Sequence, residues 1–253
     1  MIKLLEMSII SIKNLEKSYN GTTVLNIGEL EIEAGKSFGL VGNNGAGKTT
    51  LFRLLLDLIL ADKGEVLSKD KNVAKSEDWK HYTGSFIDEG FLIDYLTPDE
   101  YFQFIAGLHN MSAGDLEATL ETYKDLFADE IRGKKKYIRD LSKGNQKKVG
   151  IVGALIGNPD ILILDEPFAN LDPSTQFRLI EELERINKET DITMLISSHD
   201  LGHVAKFCER IVVLDKGEVV KDIHTNSETL QELETFFIQK IKGGAVAEEA
   251  TEL

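Results

Sequence analysis

The sequence predicts an α/β fold, with a mainly parallel sheet, an antiparallel β layer on its N-terminal side and an inserted α-helical lobe. Three observations carry this prediction. Short apolar runs (Phe38 to Val41, Ile161 to Leu164, Ile192 to Ser197) alternate with helical patterns, as strands covered by crossover helices do. Residues 8 to 33 alternate apolar and polar positions instead, which marks half-buried strands. From Thr97 to Asn158 the pattern becomes wholly helical.

Taken in order, Ile10, Ile12, Leu30 and Ile32 point to one side of two strands joined at Asn20-Gly21, a turn pair. The apolar run ending at Val41 is followed by a glycine-rich stretch and then by Leu51, Leu54, Leu55 and Leu58 at helical spacing. Lys63-Gly64-Glu65 and Lys216-Gly217-Glu218 each precede valine-containing strands and read as two hairpin turns. Thr97-Pro98-Asp99-Glu100 forms a capping box with Pro at the first helical position. Ser112 opens a helix carrying Leu116, Leu120, Tyr123 and Phe127, and a third runs from Ser142 to Ile156 until Gly157-Asn158-Pro159 stops it. Asp172-Pro173 starts a helix with Phe177, Ile180, Leu183 and Ile186 on one side. A strand over Glu218 to Ile223 and an amphipathic helix through Leu230, Leu233, Phe236, Phe237 and Ile241 complete the core. One domain over 1–242 is expected, its α/β core at 1–87 and 159–242 and its helical lobe at about 88–158, with 243–253 a mobile acidic tail.

Composition narrows the function. The chain has 253 residues, enough for one large core, and 43 acidic against 29 basic residues, for a net charge of -14. That balance argues against nucleic acid as a partner, and the one basic run, Arg132-Gly133-Lys134-Lys135-Lys136, reads as a solvated loop. No apolar run approaches the roughly 18 residues of a membrane-spanning helix. Met1 to Glu6 breaks its hydrophobic stretch too early for a secretory signal, and a lone Cys208 allows no internal disulfide, so a reducing cytosol is expected.

The chemistry centres on Gly42-Asn43-Asn44-Gly45-Ala46-Gly47-Lys48-Thr49, a full match to the phosphate-binding pattern G-x-x-x-x-G-K-[ST], here between a buried strand and a helix start. A glycine-rich turn lets successive backbone N–H groups face a triphosphate, reinforced by the positive end of the helix. Lys48 is expected to reach the β- and γ-phosphates, and Thr49, followed by Thr50, to bring its hydroxyl to Mg²⁺. This makes the core that of a P-loop NTPase. Ligands of such sheets bind beyond the strands' carboxyl ends, where the loop, Asp165-Glu166 and His199 all fall. Read locally, Asp165 and Glu166 also fit a helix-capping pair, His199 a structural histidine and Tyr19 a strand-end core residue.

Together the phosphate loop, Leu141-Ser142-Lys143-Gly144-Asn145-Gln146, Ile161 to Pro167, Asn170-Leu171-Asp172 and His199 resemble the nucleotide-binding subunit of ABC transporters over about residues 8 to 223. The resemblance implies ATP and Mg²⁺ as cofactors. Asp165 would hold the metal through water, Glu166 would polarise the attacking water, and His199 would contact the γ-phosphate. Tyr19 would stack on adenine. Ser142, Gly144 and Asn145, with Asp172 near the shared interface, would serve the nucleotide of a second cassette, so a two-fold dimer, expected to be of identical chains, is implied.

Two departures from the family's pattern stand out. The stretch that usually reads Leu-Ser-Gly-Gly-Gln has Lys143 for its first Gly and Asn145 for its Gln. The position that normally offers Gln to Mg²⁺ is Asp88, a carboxylate that can still ligate the metal. A single cassette of this kind resembles the ATPase subunits of bacterial multidrug or bacitracin-type exporters, whose permease is a separate chain, placing the protein peripherally on the inner face of the cell membrane. The acidic groove from Asp88 to Tyr101 would receive that permease. A soluble cassette such as the iron-sulfur cluster assembly ATPase is the alternative, and a two-cassette translation factor fits less well because one phosphate loop is present.

Overall fold

Alternation of buried and exposed positions sets the first layer. The structure, a computed structural model, describes residues 8–127 and 130–249, with side chains through 239. β1 (Ser8–Tyr19) and β2 (Thr22–Glu33) pair antiparallel around Asn20-Gly21, Tyr19 opposite Thr22. β3 (Ser37–Val41), α1 (Lys48–Leu55), β4 (Lys63–Ser68), β5 (Lys71–Asn72) and β6 (Thr83–Phe86) follow. The lobe comprises α2 (Pro98–Leu108), α3 (Ala113–Thr122), α4 (Lys124–Phe127) and α5 (Lys143–Leu155). The core resumes with β7 (Ile161–Asp165), α6 (Pro173–Glu189), β8 (Thr193–Ser198), α7 (Leu201–Phe207), β9 (Arg210–Asp215), β10 (Glu218–His224) and α8 (Thr229–Glu249).

Two sheets result. One is antiparallel in the order β2-β1-β4-β5; the other runs β10-β9-β3-β8-β7-β6, parallel except for β10 at its edge. The parallel strands are apolar on both faces because both are covered. Phe38, Leu40, Ile161, Ile163, Leu195, Val212 and Leu214 face α1 and the antiparallel layer in one core. Leu162, Leu164, Met194, Ile196, Ile211 and Val213 alternate with them and face a second core that continues through α5 and α6 into the lobe. The period of two along each strand thus divides the molecule into two cores.

The caps form as their residues require. Thr97 and Glu100 close a capping box at α2, as do Ser112 and Asp115 at α3, and Ser142 caps α5. Four expectations are corrected. Lys63-Gly64-Glu65 begins β4 and is no hairpin turn, because α1, not a strand, precedes it; Lys216-Gly217 does join β9 to β10. Phe177 is 63% exposed, and α6 buries Leu179, Leu183 and Ile186 instead, since its contact stripe is set by the lobe on one side and the sheet on the other. Leu58 lies beyond α1, where Asp57 at φ 49° has ended the helix, and is exposed. α8 continues through Glu249 into the stretch from Gly243 expected to be a tail, in keeping with the helix propensity of Ala and Glu; 250–253 lie outside the described residues.

Candidate functional site

Three neighbouring parallel strands, β3, β8 and β7, end side by side, with Val41 opposite Ser198 and Asp165 opposite Ser197. The loop after β3 is the phosphate loop. Its Gly47 takes φ 108°, a backbone angle that costs a side-chain-bearing residue strain, and serves as the N-cap of α1. Asn43, Asn44 and Gly45 are exposed at the rim, Ala46 is buried with its N–H donating to the Asn43 carbonyl (3.0 Å), and Gly42 lies against Leu214.

Two chains of contacts cross the strand ends. In one, buried Lys48 donates to the Gly42 carbonyl (2.7 Å) and stands 3.2 Å from Glu166 Oε1, while Glu166 Oε2 meets His199 Nδ1 at 2.8 Å. In the other, the Thr49 hydroxyl donates to Asp165 Oδ2 (2.5 Å) and the Ser197 hydroxyl to Asp165 Oδ1. The chains join where the Glu166 N–H donates to Ser197 Oγ (2.9 Å). Burial pushes the Asp165 carboxyl above the ordinary carboxylate range, and the Ser197 and Thr49 hydroxyls oppose that rise. Glu166 has φ 47°, the left-handed region, which for a non-glycine residue costs about 1–3 kcal/mol and is held only by its surroundings.

The remaining candidate residues lie farther out. Tyr19 is 44% exposed at the end of β1, with Lys17 Nζ 5.3 Å from its ring centroid, so it is no core residue. Thr50, in the first turn of α1, is half-buried. Ser142 Oγ accepts from the Asn145 N–H (3.3 Å), and the Asn145 amide donates to Glu130 (3.1 Å). Lys143 Nζ donates back to Gln146 Oε1 (3.3 Å), along its own helix. Asp172 caps α6, and bonds from Ser174 and Thr175 hold its carboxyl well below the usual range. Asp88 Oδ1 accepts from the Gly90 N–H (2.6 Å) and its Oδ2 is 3.9 Å from Arg53, so both oxygens are turned to partners other than Thr49 and Asp165.

Two residues that shape the site were missed from sequence. Ser197 is the polar end of an otherwise apolar strand, and Lys147 is a lysine just past the first turn of α5; both are buried. In neither does a local pattern distinguish a side chain bonded to the site from one facing water.

A hydroxyl and a carboxylate at a glycine-rich strand-to-helix turn, with a lysine, a second carboxylate and a histidine beside them, define a nucleoside triphosphate site. The ABC transporter family profile matches residues 25–169. The chain is 28% identical, over 92% of its length and 75% of the relative's, to an uncharacterised ABC transporter ATP-binding protein of Bacillus subtilis. It is 35% identical to another from Nostoc, over 76% of its length but 57% of that protein's, so it spans little more than half of that relative. It is 32% identical to the bacitracin transport ATP-binding protein of Enterococcus faecalis, over 85% of this chain and 69% of that one. Other relatives are named for import of methionine or of spermidine and putrescine. Among solved structures, a dimeric ATP-binding cassette in a post-hydrolysis state with ADP and Pi superposes with a TM-score of 0.75 at 26% identity, covering 86% of this chain and 99% of that one. The chain belongs to the ABC transporter family. It is an ATP-binding subunit of that family's ATPases.

Proposed function

We propose that this chain is the ATP-hydrolysing motor subunit of an ABC exporter, driving a separate membrane permease through ATP-dependent association of two cassettes, expected to be identical chains. The observation that supports it most is the meeting of Lys48, Thr49, Asp165, Glu166 and His199 at three adjacent strand ends.

Lys48 and the loop N–H groups bind the phosphates, and Tyr19, open at the end of β1, stacks on adenine. Glu166 accepts a proton from the attacking water at its carboxylate, which His199 and Lys48 hold in place. Thr49 and Asp165 would hold Mg²⁺. They fit it in kind, being hard oxygen donors side by side, and the bond by which the Thr49 hydroxyl now donates to Asp165 Oδ2 would give way to the ion. When bound there, the ion supplies positive charge against the phosphate oxygens. Asp88 joins this set only by leaving Gly90 and Arg53. Ser142, Gly144 and Asn145, at the start of α5, and Asp172, at the start of α6, serve the nucleotide of the partner cassette. Hydrolysis is thereby tied to two-fold assembly.

Among the described residues no helix is long and apolar enough to cross a membrane. The separate permease chain, and the inner face of the cell membrane as the working place, belong to the transporter reading proposed here. The exporter reading leans on the bacitracin relative; the relatives named for import keep an importer as the second reading. Glu166→Gln, given ATP and magnesium, is expected to retain nucleotide, accumulate as a dimer and lose turnover by about 10²–10⁴-fold. Hydrolysis at the wild-type rate would remove Glu166 from its role. Isolation of the chain with a membrane permease, and the direction in which that permease moves cargo in vesicles, decides between export and import. Purification without a membrane partner favours a soluble ATPase.

A further inference from the structure

The backbone of Glu166 is gripped from two sides by side chains that belong to neither its strand nor its loop. Its N–H donates to Ser197 Oγ at the end of β8. Its carbonyl accepts from Lys147 Nζ at 2.9 Å, and the same ammonium reaches the Ala169 carbonyl at 2.8 Å. These two carbonyls bracket a tight turn, closed by the Ala169 N–H donating back to Glu166 O (3.2 Å). The turn contains the left-handed Glu166 and leads directly to Asp172.

Lys147 comes from α5, the helix whose first residues follow Ser142, and it is 6% exposed. A lysine is rarely buried unless its charge is matched. Here the matching groups are the two carbonyls, with the carboxylates of Glu89, Glu166 and Asp165 acting on it at longer range. A solvated lysine would satisfy α5 equally well as a helix, so helix formation does not account for the burial. Nor is the contact apolar packing, since the ammonium itself ends on the turn. What the arrangement does account for is a fixed distance between the start of α5 and the carbonyl next to the Glu166 side chain.

We propose that Lys147 is a positioning residue for hydrolysis: it ties the lobe's helix α5 to the Glu166–Ala169 turn and so sets where the Glu166 carboxylate stands relative to bound ATP. This rests on Glu166 being the group that activates water. Lys147 bonds the Glu166 and Ala169 carbonyls and not the loop of Lys48 or Thr49, so binding of ATP to a single chain's own phosphate loop does not depend on it, whereas a small displacement of the carboxylate does affect the rate. Movement of the lobe, which carries both Ser142 and Lys147, therefore moves the catalytic turn as well.

The test uses the full chain carrying Lys147→Met, Lys147→Gln or Lys147→Arg, with kcat, KM, ATP affinity by calorimetry and melting temperature measured for each. Lys147→Met is expected to lose about 10²-fold in kcat, the scale of a misplaced catalytic group, with ATP affinity changed by less than about threefold. Lys147→Arg, whose fork offers donors to both carbonyls, should recover to within about tenfold of wild type, with Lys147→Gln between. In a Glu166→Gln background the Met change should add no further loss. A kcat for Lys147→Met within twofold of wild type, a loss of ATP affinity matching the loss of rate, or Met and Arg variants equally slow would each overturn the proposal. If the Met variant does not fold, Lys147→Gln decides by the same criteria. Glu166→Gln with full activity would sink the reading of Glu166 itself. An inactive Glu166→Gln beside a fully active Lys147→Met sinks only the part played by Lys147.

Discussion

The seat of α5 on the sheet can be tested at Gly84. This residue lies in β6, paired with Leu162 of β7, and the last turn of α5 rests directly on it. A Cβ at 84 would stand 1.8 Å from the Ala154 carbonyl oxygen, 2.9 Å from Ala154 C and 3.2 Å from Pro159 Cγ. Real Cβ atoms essentially never come within 3.0 Å of another heavy atom, so helix and strand must separate by about 1.2 Å at the least. The helix has little room to yield, because it meets β6 again at Gly150, where a Cβ would lie 2.2 Å from the Phe86 ring. Separating them opens a gap under Val149, Ile151, Val152 and Leu155, all buried, and a gap of 0.5–1 Å already forfeits about a quarter to a half of each dispersion contact. Overpacking costs about 1–3 kcal/mol where side chains can adjust; against a backbone carbonyl, about 3–5 kcal/mol is expected for Gly84→Ala. Urea unfolding of the ligand-free protein measures it. With a slope near 3 kcal/mol/M, the midpoint should fall by about 1 M or more. Gly107→Ala is the control, since a Cβ there meets nothing within 4 Å on the exposed side of α2, and it should gain about 0.5–1 kcal/mol. A Gly84→Ala protein unfolding at the wild-type midpoint would refute the described packing of α5 on β6.

Lys48→Ala should weaken ATP binding by about 10²-fold or more, since it removes a charged donor from the phosphates; calorimetry giving a Kd within threefold of wild type would contradict this. Ser197→Ala should cost about 2–4 kcal/mol in the ligand-free protein. It deprives the Glu166 N–H and the buried Asp165 carboxylate of their common partner, and an unchanged urea midpoint would show that neither depends on it.

The strand ends were legible because their signals are local. The phosphate loop announces itself through the spacing of Gly42, Gly47 and Lys48, and the caps at Thr97, Ser112 and Ser142 through residues that bond their own helix. β6 was not legible. Thr83-Gly84-Ser85-Phe86 is a strand because β7 accepts it as a neighbour and because Gly84 lets α5 approach, neither of which is written within four residues. Phe177 was misplaced for a related reason, as a helical stripe gives a period but not the angle at which the helix meets its neighbours. Lys147 and Ser197 escaped because a polar residue near an element's end looks the same whether it faces water or a buried carbonyl.

Glu166 is where local preference and fold disagree most. A residue before proline favours extended backbone, and Pro167 follows it, yet Glu166 adopts φ 47°. Nothing in Leu164-Asp165-Glu166-Pro167 asks for this, so the cause lies outside the segment. Ser197 fixes its N–H and Lys147 its carbonyl, while Lys48 and His199 fix its carboxylate, and these four come from β8, α5, α1 and the end of β8. A conformation held by contacts from separate elements is lost by degrees as those elements shift, unlike one dictated by its own residues. The carboxylate's position is therefore sensitive to the relation between lobe and core, and under the proposed function, in which Ser142 on the lobe and Lys48 on the core face different nucleotides, that is the relation that binding a second cassette would alter.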